Sequence, residues 1–266
     1  MNIVFYIVIF ILGTILGSLY ATTIERMSKE KKTFSLHSYC TKCGKKLKAT
    51  YKIPILSYLY LHGKCKYCGK PIAVKYIFLE IITGFIFLIT ALAFKCNITT
   101  INITKLISFL FTILYFTYII LVIGIDIETR KIPSTLLALG NIISIAYIIY
   151  LLFMESTTAN VAIVYLVIMV ILLLLNILNT KKKAQSSYVL DILSMVLIML
   201  IFTGEFISIL TIIGTLLTFA LYNLIKNAKK TKYKIKTHKG IFEENTKIAF
   251  IMGIINIVIF LVLINA

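Results

Sequence analysis

The chain has 266 residues, of which 60% are hydrophobic and 14% charged, and it carries a formal net charge of +18. Soluble domains hold roughly 45–50% apolar and about 25% charged residues, so this composition excludes a water-soluble globular fold and specifies an all-α polytopic membrane protein. The positive balance is explained by loop topology and by attraction to anionic lipid, and no nucleic-acid partner is expected.

A helix needs about 20 apolar residues to cross a hydrocarbon core of about 30 Å. The first such segment runs from Ile3 to Thr23. No Lys or Arg precedes it and a basic stretch follows it, the reverse of a secretory signal, so it is read as a retained helix. Within it, Gly13-Thr14-Ile15-Leu16-Gly17 has the small-xxx-small spacing of two helices in close contact.

The loop that follows contains Cys40-Thr41-Lys42-Cys43-Gly44-Lys45 and Cys65-Lys66-Tyr67-Cys68-Gly69-Lys70, two copies of one knuckle. Cys40, Cys43, Cys65 and Cys68 supply four thiolates for a tetrahedral ion, zinc by default, and the glycine after each pair relieves crowding where the backbone folds around the sulfurs. Four cysteines close the coordination shell, which makes the metal structural. A disulfide or redox pair is the competing reading, disfavoured by a reducing cytosol and the lack of a thioredoxin-like pattern. Between the knuckles, Lys52 to Leu61 is too short to span and too apolar for water, so it is expected at the membrane interface or against the ribbon. Cys96 is read as incidental.

Seven further segments follow: Tyr76–Phe94, Leu106–Ile125, Ser134–Met154, Asn160–Leu178, Tyr188–Thr203, Phe206–Ile225 and Ile248–Ala266. With about eight crossings, one set of loops (24–75, 126–133, 179–187 and 226–247) holds 13, 2, 3 and 8 of the 28 basic residues, and the other holds Lys95 and Lys105. The positive-inside rule then puts both termini outside and the basic loops in the cytoplasm. The expected organisation is a first helix (1–23), a cytoplasmic metal-binding loop (24–75) and a seven-helix core (76–266). The run of lysines from Lys229 to Lys239 is read as topological anchoring and lipid contact.

The chain contains two aspartates, Asp126 and Asp191, each at the cytoplasmic end of an apolar segment. An ionisable group there is a functional-site hypothesis by default, and two of them suggest a pair. Two close carboxyls share a proton, so one can take a proton from water while the other donates to a developing oxyanion. The bland alternative is contact with headgroups, nearby lysines or a helix dipole. His37, His62 and His238 have no evident Ser or Cys partner, which leaves a serine-protease reading without support.

The order of a small-residue-rich first helix, a CxxC, Ile53-Pro54-Ile55-Leu56-Ser57-Tyr58-Leu59, Gly63, a second CxxC, Lys75-Tyr76 and Glu80 resembles the bacterial prepilin peptidases. Gly17-Ser18 and Arg26 also fall where that family has its Gly-Ser and Arg, and Lys247 to Phe250 with Gly253 resembles its last helix. The likeness implies an intramembrane aspartic endopeptidase of the bacterial inner or plasma membrane. Such enzymes remove leaders from type IV prepilins or pseudopilins at the cytoplasmic face and N-methylate the new terminus with S-adenosylmethionine. Asp126, seven residues before Pro133, matches the family's first catalytic aspartate, and Asp191 matches the second by order and topology. Glu80 matches a family glutamate and is the candidate for methyl transfer; pairing with a lysine to hold the fold is its alternative.

Three departures stand out. Tyr188-Val189-Leu190-Asp191 replaces the family's Gly-x-Gly-Asp and lacks the lysine that follows it, Ser134 stands where Asp or Asn is common, and Ala21-Thr22 replaces a region with Asn. They leave open an inactive paralog acting in pilus or secretion assembly. A transporter is the other alternative, although its acids would lie near mid-bilayer.

Overall fold

The computed structural model describes residues 2–28, 43–45, 55, 58, 60–95, 102–129, 132–154, 157, 159–180, 187–230 and 248–265. Among these the chain is all-helical: α1 (Asn2–Ser28), α2 (Lys75–Ala93), α3 (Ile103–Thr129), α4 (Ser134–Phe153), α5 (Ala159–Thr180), α6 (Ser187–Lys230) and α7 (Ile248–Asn265). Eight expected segments map onto seven helices because α6 contains two of them, interrupted at Gly204 with φ 78° and ψ 172°. That backbone is open to glycine and to few other residues. Several helices also run past the expected ends, α1 to Ser28 and α6 to Lys230. The apolar-run criterion finds the lipid-spanning part of a helix, and the charged turns beyond it continue the same hydrogen-bond ladder.

Among the described residues five helices are long and apolar enough to cross a membrane, and Ala159–Leu175 and Ile248–Ile264 are shorter apolar stretches. Their outward residues suit lipid. On α5, Ile163, Val164, Val167, Ile171 and Leu174 are exposed, a stripe at helical spacing with no polar member.

The chain divides into two compact units, Met1–Ile125 and Asp126–Ala266. In the first, α1 and α2 meet through their small residues. A Cβ on Gly13 would lie 2.9 Å from the Cα of Gly84, and one on Gly17 would lie 2.8 Å from the Cα of Glu80. The backbones approach so closely only because neither glycine carries a side chain, as the small-xxx-small spacing predicts. Around this seam Ile9, Phe87, Ala91 and Phe109 form a buried cluster. Tyr20 Oη and Thr117 Oγ1 share a hydrogen bond of 2.6 Å, and the Tyr76 hydroxyl donates to Glu25 Oε2 at 2.7 Å.

In the second unit α4, α5 and the first arm of α6 bury Ile148, Ala162, Met169, Leu197 and Ile201 together. Tyr147 stacks on Phe202 with ring centroids 4.5 Å apart and planes 10° from parallel. The second arm of α6 meets α7, with Gly214 admitting Ile255 and Asn256 Nδ2 donating to Thr211 Oγ1 at 3.1 Å.

Candidate functional site

Three of the four predicted metal ligands are described. The sulfurs of Cys43, Cys65 and Cys68 all lie within 4.8 Å of one another, and Cys40 falls outside the described residues. Thiolates on a tetrahedral ion, with metal–sulfur bonds near 2.3 Å, would stand roughly 3.8 Å apart, so the cluster is of a size that can close on a metal. Local backbone explains the shape. Gly44 and Gly69 adopt φ +70° and φ +67°, the left-handed turn that follows each knuckle. In the second knuckle the Gly69 N–H donates to Cys65 O and the Cys65 N–H to Lys70 O, each at 2.9 Å. An isolated antiparallel bridge pairs Lys64 with Pro71, and no strand is present among the described residues. Lys45 Nζ sits 5.6 Å from the centre of the Tyr67 ring, a cation–π contact joining one knuckle to the other.

Glu80 is buried on α2 and faces the loop that joins the knuckles. Its Oε2 accepts from the Ile55 N–H at 2.9 Å, and the Ser18 hydroxyl also hydrogen-bonds its carboxylate. Ile55 has φ 58°, a left-handed backbone that is an outlier for a β-branched residue. Such a conformation costs on the order of 1–3 kcal/mol and persists only where neighbours over-determine it. The Glu80 carboxylate is one of those neighbours. Its observed partners are thus a hydroxyl on α1 and a main-chain amide of the loop.

Asp126 lies in the last turn of α3 and is 0% exposed. Its Oδ2 accepts from the Phe250 N–H at 2.9 Å, and Phe250 is the third residue of α7. The first N–H groups of a helix have no acceptor within it, so the carboxylate satisfies one of them at the positive end of the helix. Asp191 lies near the start of α6 and is 7% exposed. Ser194, one turn on, turns its hydroxyl back to Leu190 O at 2.9 Å. Both aspartates therefore belong to the second unit, each buried near a helix end. Glu80 and the cysteines belong to the first.

Sequence reasoning did not find the Phe250 N–H, because a main-chain donor leaves no residue signature. It also missed Asn256, which is 0% exposed. A single polar residue in the otherwise apolar run Ile251–Leu263 was its only signal.

Residues 11–94 match the model of the bacterial peptidase A24 N-terminal domain. Over this part of its length the chain is similar to bacterial prepilin peptidases. It is 36% identical over 83 residues to a prepilin leader peptidase/N-methyltransferase of Myxococcus xanthus, covering 31% of this chain and 25% of that one. A protein of the same name from Bacillus subtilis is 30% identical over 131 residues, covering 49% of each. One from Vibrio cholerae is 37% identical over 89 residues, covering 30% of this chain and 35% of its own. The chain thus spans between about a quarter and a half of the length of these relatives. No solved structure matches it. The matched stretch 11–94 contains the four cysteines, Glu80 and the glycine seam, and both aspartates lie beyond it.

Proposed function

We propose that this protein is a membrane-embedded aspartic endopeptidase that removes the leaders of type IV prepilins or pseudopilins. The carrying observation is that the chain's two aspartates, on separate apolar helices, are both buried within one compact unit. Their distribution among the basic loops favours the cytoplasmic face of a bacterial inner membrane as the place of cleavage.

In the proposed reaction one ionised carboxylate removes a proton from water as its oxygen attacks the scissile carbonyl carbon. The partner carboxylic acid gives its proton to the carbonyl oxygen, forming a neutral tetrahedral diol. On collapse one hydroxyl proton passes to the ionised carboxylate, the protonated carboxyl gives its proton to the departing amine, and the C–N bond breaks. The pair ends with one proton, as it began, and no acyl-enzyme forms.

Cys43, Cys65 and Cys68, with Cys40 as fourth ligand, would hold a structural zinc. Its bound form supplies a cross-link across the loop and no open position for water. N-methylation of the new terminus with S-adenosylmethionine rests on the names of the relatives, and Glu80 remains its candidate residue. The contacts of Glu80 with Ile55 and Ser18 support a fold-stabilising role made through these two groups, in place of the lysine pairing expected from the sequence.

Incubation of the purified chain in lipid nanodiscs with a prepilin, followed by intact-mass analysis, tests the reading. Loss of the leader mass is expected, and Asp126→Asn or Asp191→Asn should abolish it without lowering expression. Full processing by either variant removes that aspartate from the mechanism. An inactive assembly protein is the second reading, favoured by Leu190 where the family has glycine, and it predicts an uncleaved prepilin that still binds.

A further inference from the structure

We propose that the first turn of α7 is the element that orients Asp126, and that Asn256, through Thr211, is a positioning residue that sets the register of that turn. The inference rests on the reading of Asp126 as catalytic and adds to it a device that the aspartate motif does not contain.

Asp126 sits at the end of its own helix, where a short carboxylate side chain could take several rotamers. The Phe250 N–H at 2.9 Å restricts that freedom. A main-chain donor in a helical turn cannot rotate away as a side-chain donor can, so the direction of Oδ2 is tied to the placement of α7. Around this turn Ala249 is 0% and Met252 3% exposed, so the turn is itself packed.

What keeps α7 from sliding or rolling is less evident, because its surface is almost uniformly aliphatic. Leucine, isoleucine and valine contacts tolerate a change of register with little penalty. Asn256 does not. It is 0% exposed and donates to Thr211 Oγ1 at 3.1 Å, where Thr211 is also 0% exposed. The Thr211 hydroxyl donates to Ile207 O at 2.7 Å, so its own hydrogen is committed and its oxygen faces Asn256 as an acceptor. This pair therefore has a fixed donor and a fixed acceptor. In an apolar interior a buried amide has few alternative partners, so a small roll or slide of α7 breaks the bond. Six residues separate Asn256 from Phe250, a rise of about 9 Å along the helix, so the displacement is transmitted directly to the Phe250 N–H.

The test compares substitutions in the full-length protein in nanodiscs, with a purified prepilin as substrate and kcat and KM measured separately. Phe250→Pro removes the donor at a first-turn position that accepts proline, and Phe250→Ala keeps the donor and removes the ring. Phe250→Pro should lower kcat on the order of 100-fold with KM nearly unchanged, since misplacing a reacting group by about 1 Å can cost that much. Phe250→Ala keeps the N–H and should lose far less than Phe250→Pro. Thr211→Val and Asn256→Leu should each lower kcat roughly tenfold, Thr211→Ser should retain the parent value, and the double variant should lose less than the two single losses combined because both remove the bond they share.

Parent-like kcat in Phe250→Pro overturns the orienting turn. Additive losses in the double variant, or lowered melting temperature with unchanged kcat, overturn the role of Asn256, and these two outcomes stand even if the proline variant fails to fold. Asp126→Asn is measured alongside. If that variant still cleaves, the reading of Asp126 fails; if it is inactive while Phe250→Pro is normal, only the present proposal fails.

Discussion

The two units of the chain hold their polar groups in different ways. In the first, the sequence itself is dense with signals: glycines at the α1–α2 seam, cysteines in repeated knuckles, and a glutamate whose partners are a serine on α1 and a loop amide. In the second, buried polar residues are scattered along the apolar helices, and two of them are held by groups far away in the sequence. Asp126 is held by a main-chain N–H 124 positions away, and Asn256 by a threonine 45 positions away. The first unit is specified by what small and sulfur-bearing residues permit. The second depends on the register of apolar helices with scattered polar residues, and a substitution should reveal which kind of specification it disturbs.

The largest effect is expected at the seam. Gly17→Leu would force a side chain against the Cα of Glu80, backbone that cannot move aside, and should cost about 3 kcal/mol or more. Thermal melting in detergent and the yield of membrane-inserted protein measure this loss. A parent-like melt would show that α1 and α2 are not packed at this point.

Next comes the metal loop. Cys65→Ser, or prolonged exposure to a strong chelator, should reduce bound zinc from about one ion per chain to none and make the loop sensitive to protease. Mass spectrometry of the metal and limited proteolysis measure the two effects. If the second unit is separately specified, its cleavage sites should remain protected. Unchanged zinc content after Cys65→Ser would break the assignment.

Leu190→Gly sharpens the comparison within the second unit. A glycine inside a helix costs about 1 kcal/mol, so stability should fall slightly. If the bulk of Leu190 limits access to Asp191, prepilin cleavage should rise several-fold despite that loss. A fall in both would mean that this chain has adapted to leucine.

The smallest change is expected from Glu80→Gln. The amide retains an oxygen able to accept from the Ile55 N–H, so the loss should be about 0.5–1 kcal/mol by melting. Glu80→Leu removes the acceptor and should cost more. Equal effects of the two would indicate that charge, not the hydrogen bond to Ile55, is what the loop needs.

The helices were legible because apolar runs of membrane length admit few other structures. The break at Gly204 was legible too, since it falls between the expected segments Tyr188–Thr203 and Phe206–Ile225. Close packing at Gly13 and Gly17 followed from their spacing, and the clustering of Cys43, Cys65 and Cys68 from their repeated knuckle. The left-handed Ile55 was not legible, because a β-branched residue is the last that a turn rule would choose. Nor was the contact at Asp126, since every residue but proline carries the same N–H. Helix ends marked the positions of the two aspartates without indicating which group would hold either of them.

The central claim is that Asp126 and Asp191 form one site, and the most direct measurement is their proximity. A chain carrying Asp126→Cys and Asp191→Cys, with a protease site inserted in the 181–186 segment, would be treated with a short thiol cross-linker and then cut. The account predicts that the two fragments stay joined in the double variant and part in each single variant. Fragments that part as readily in the double variant would contradict a shared site.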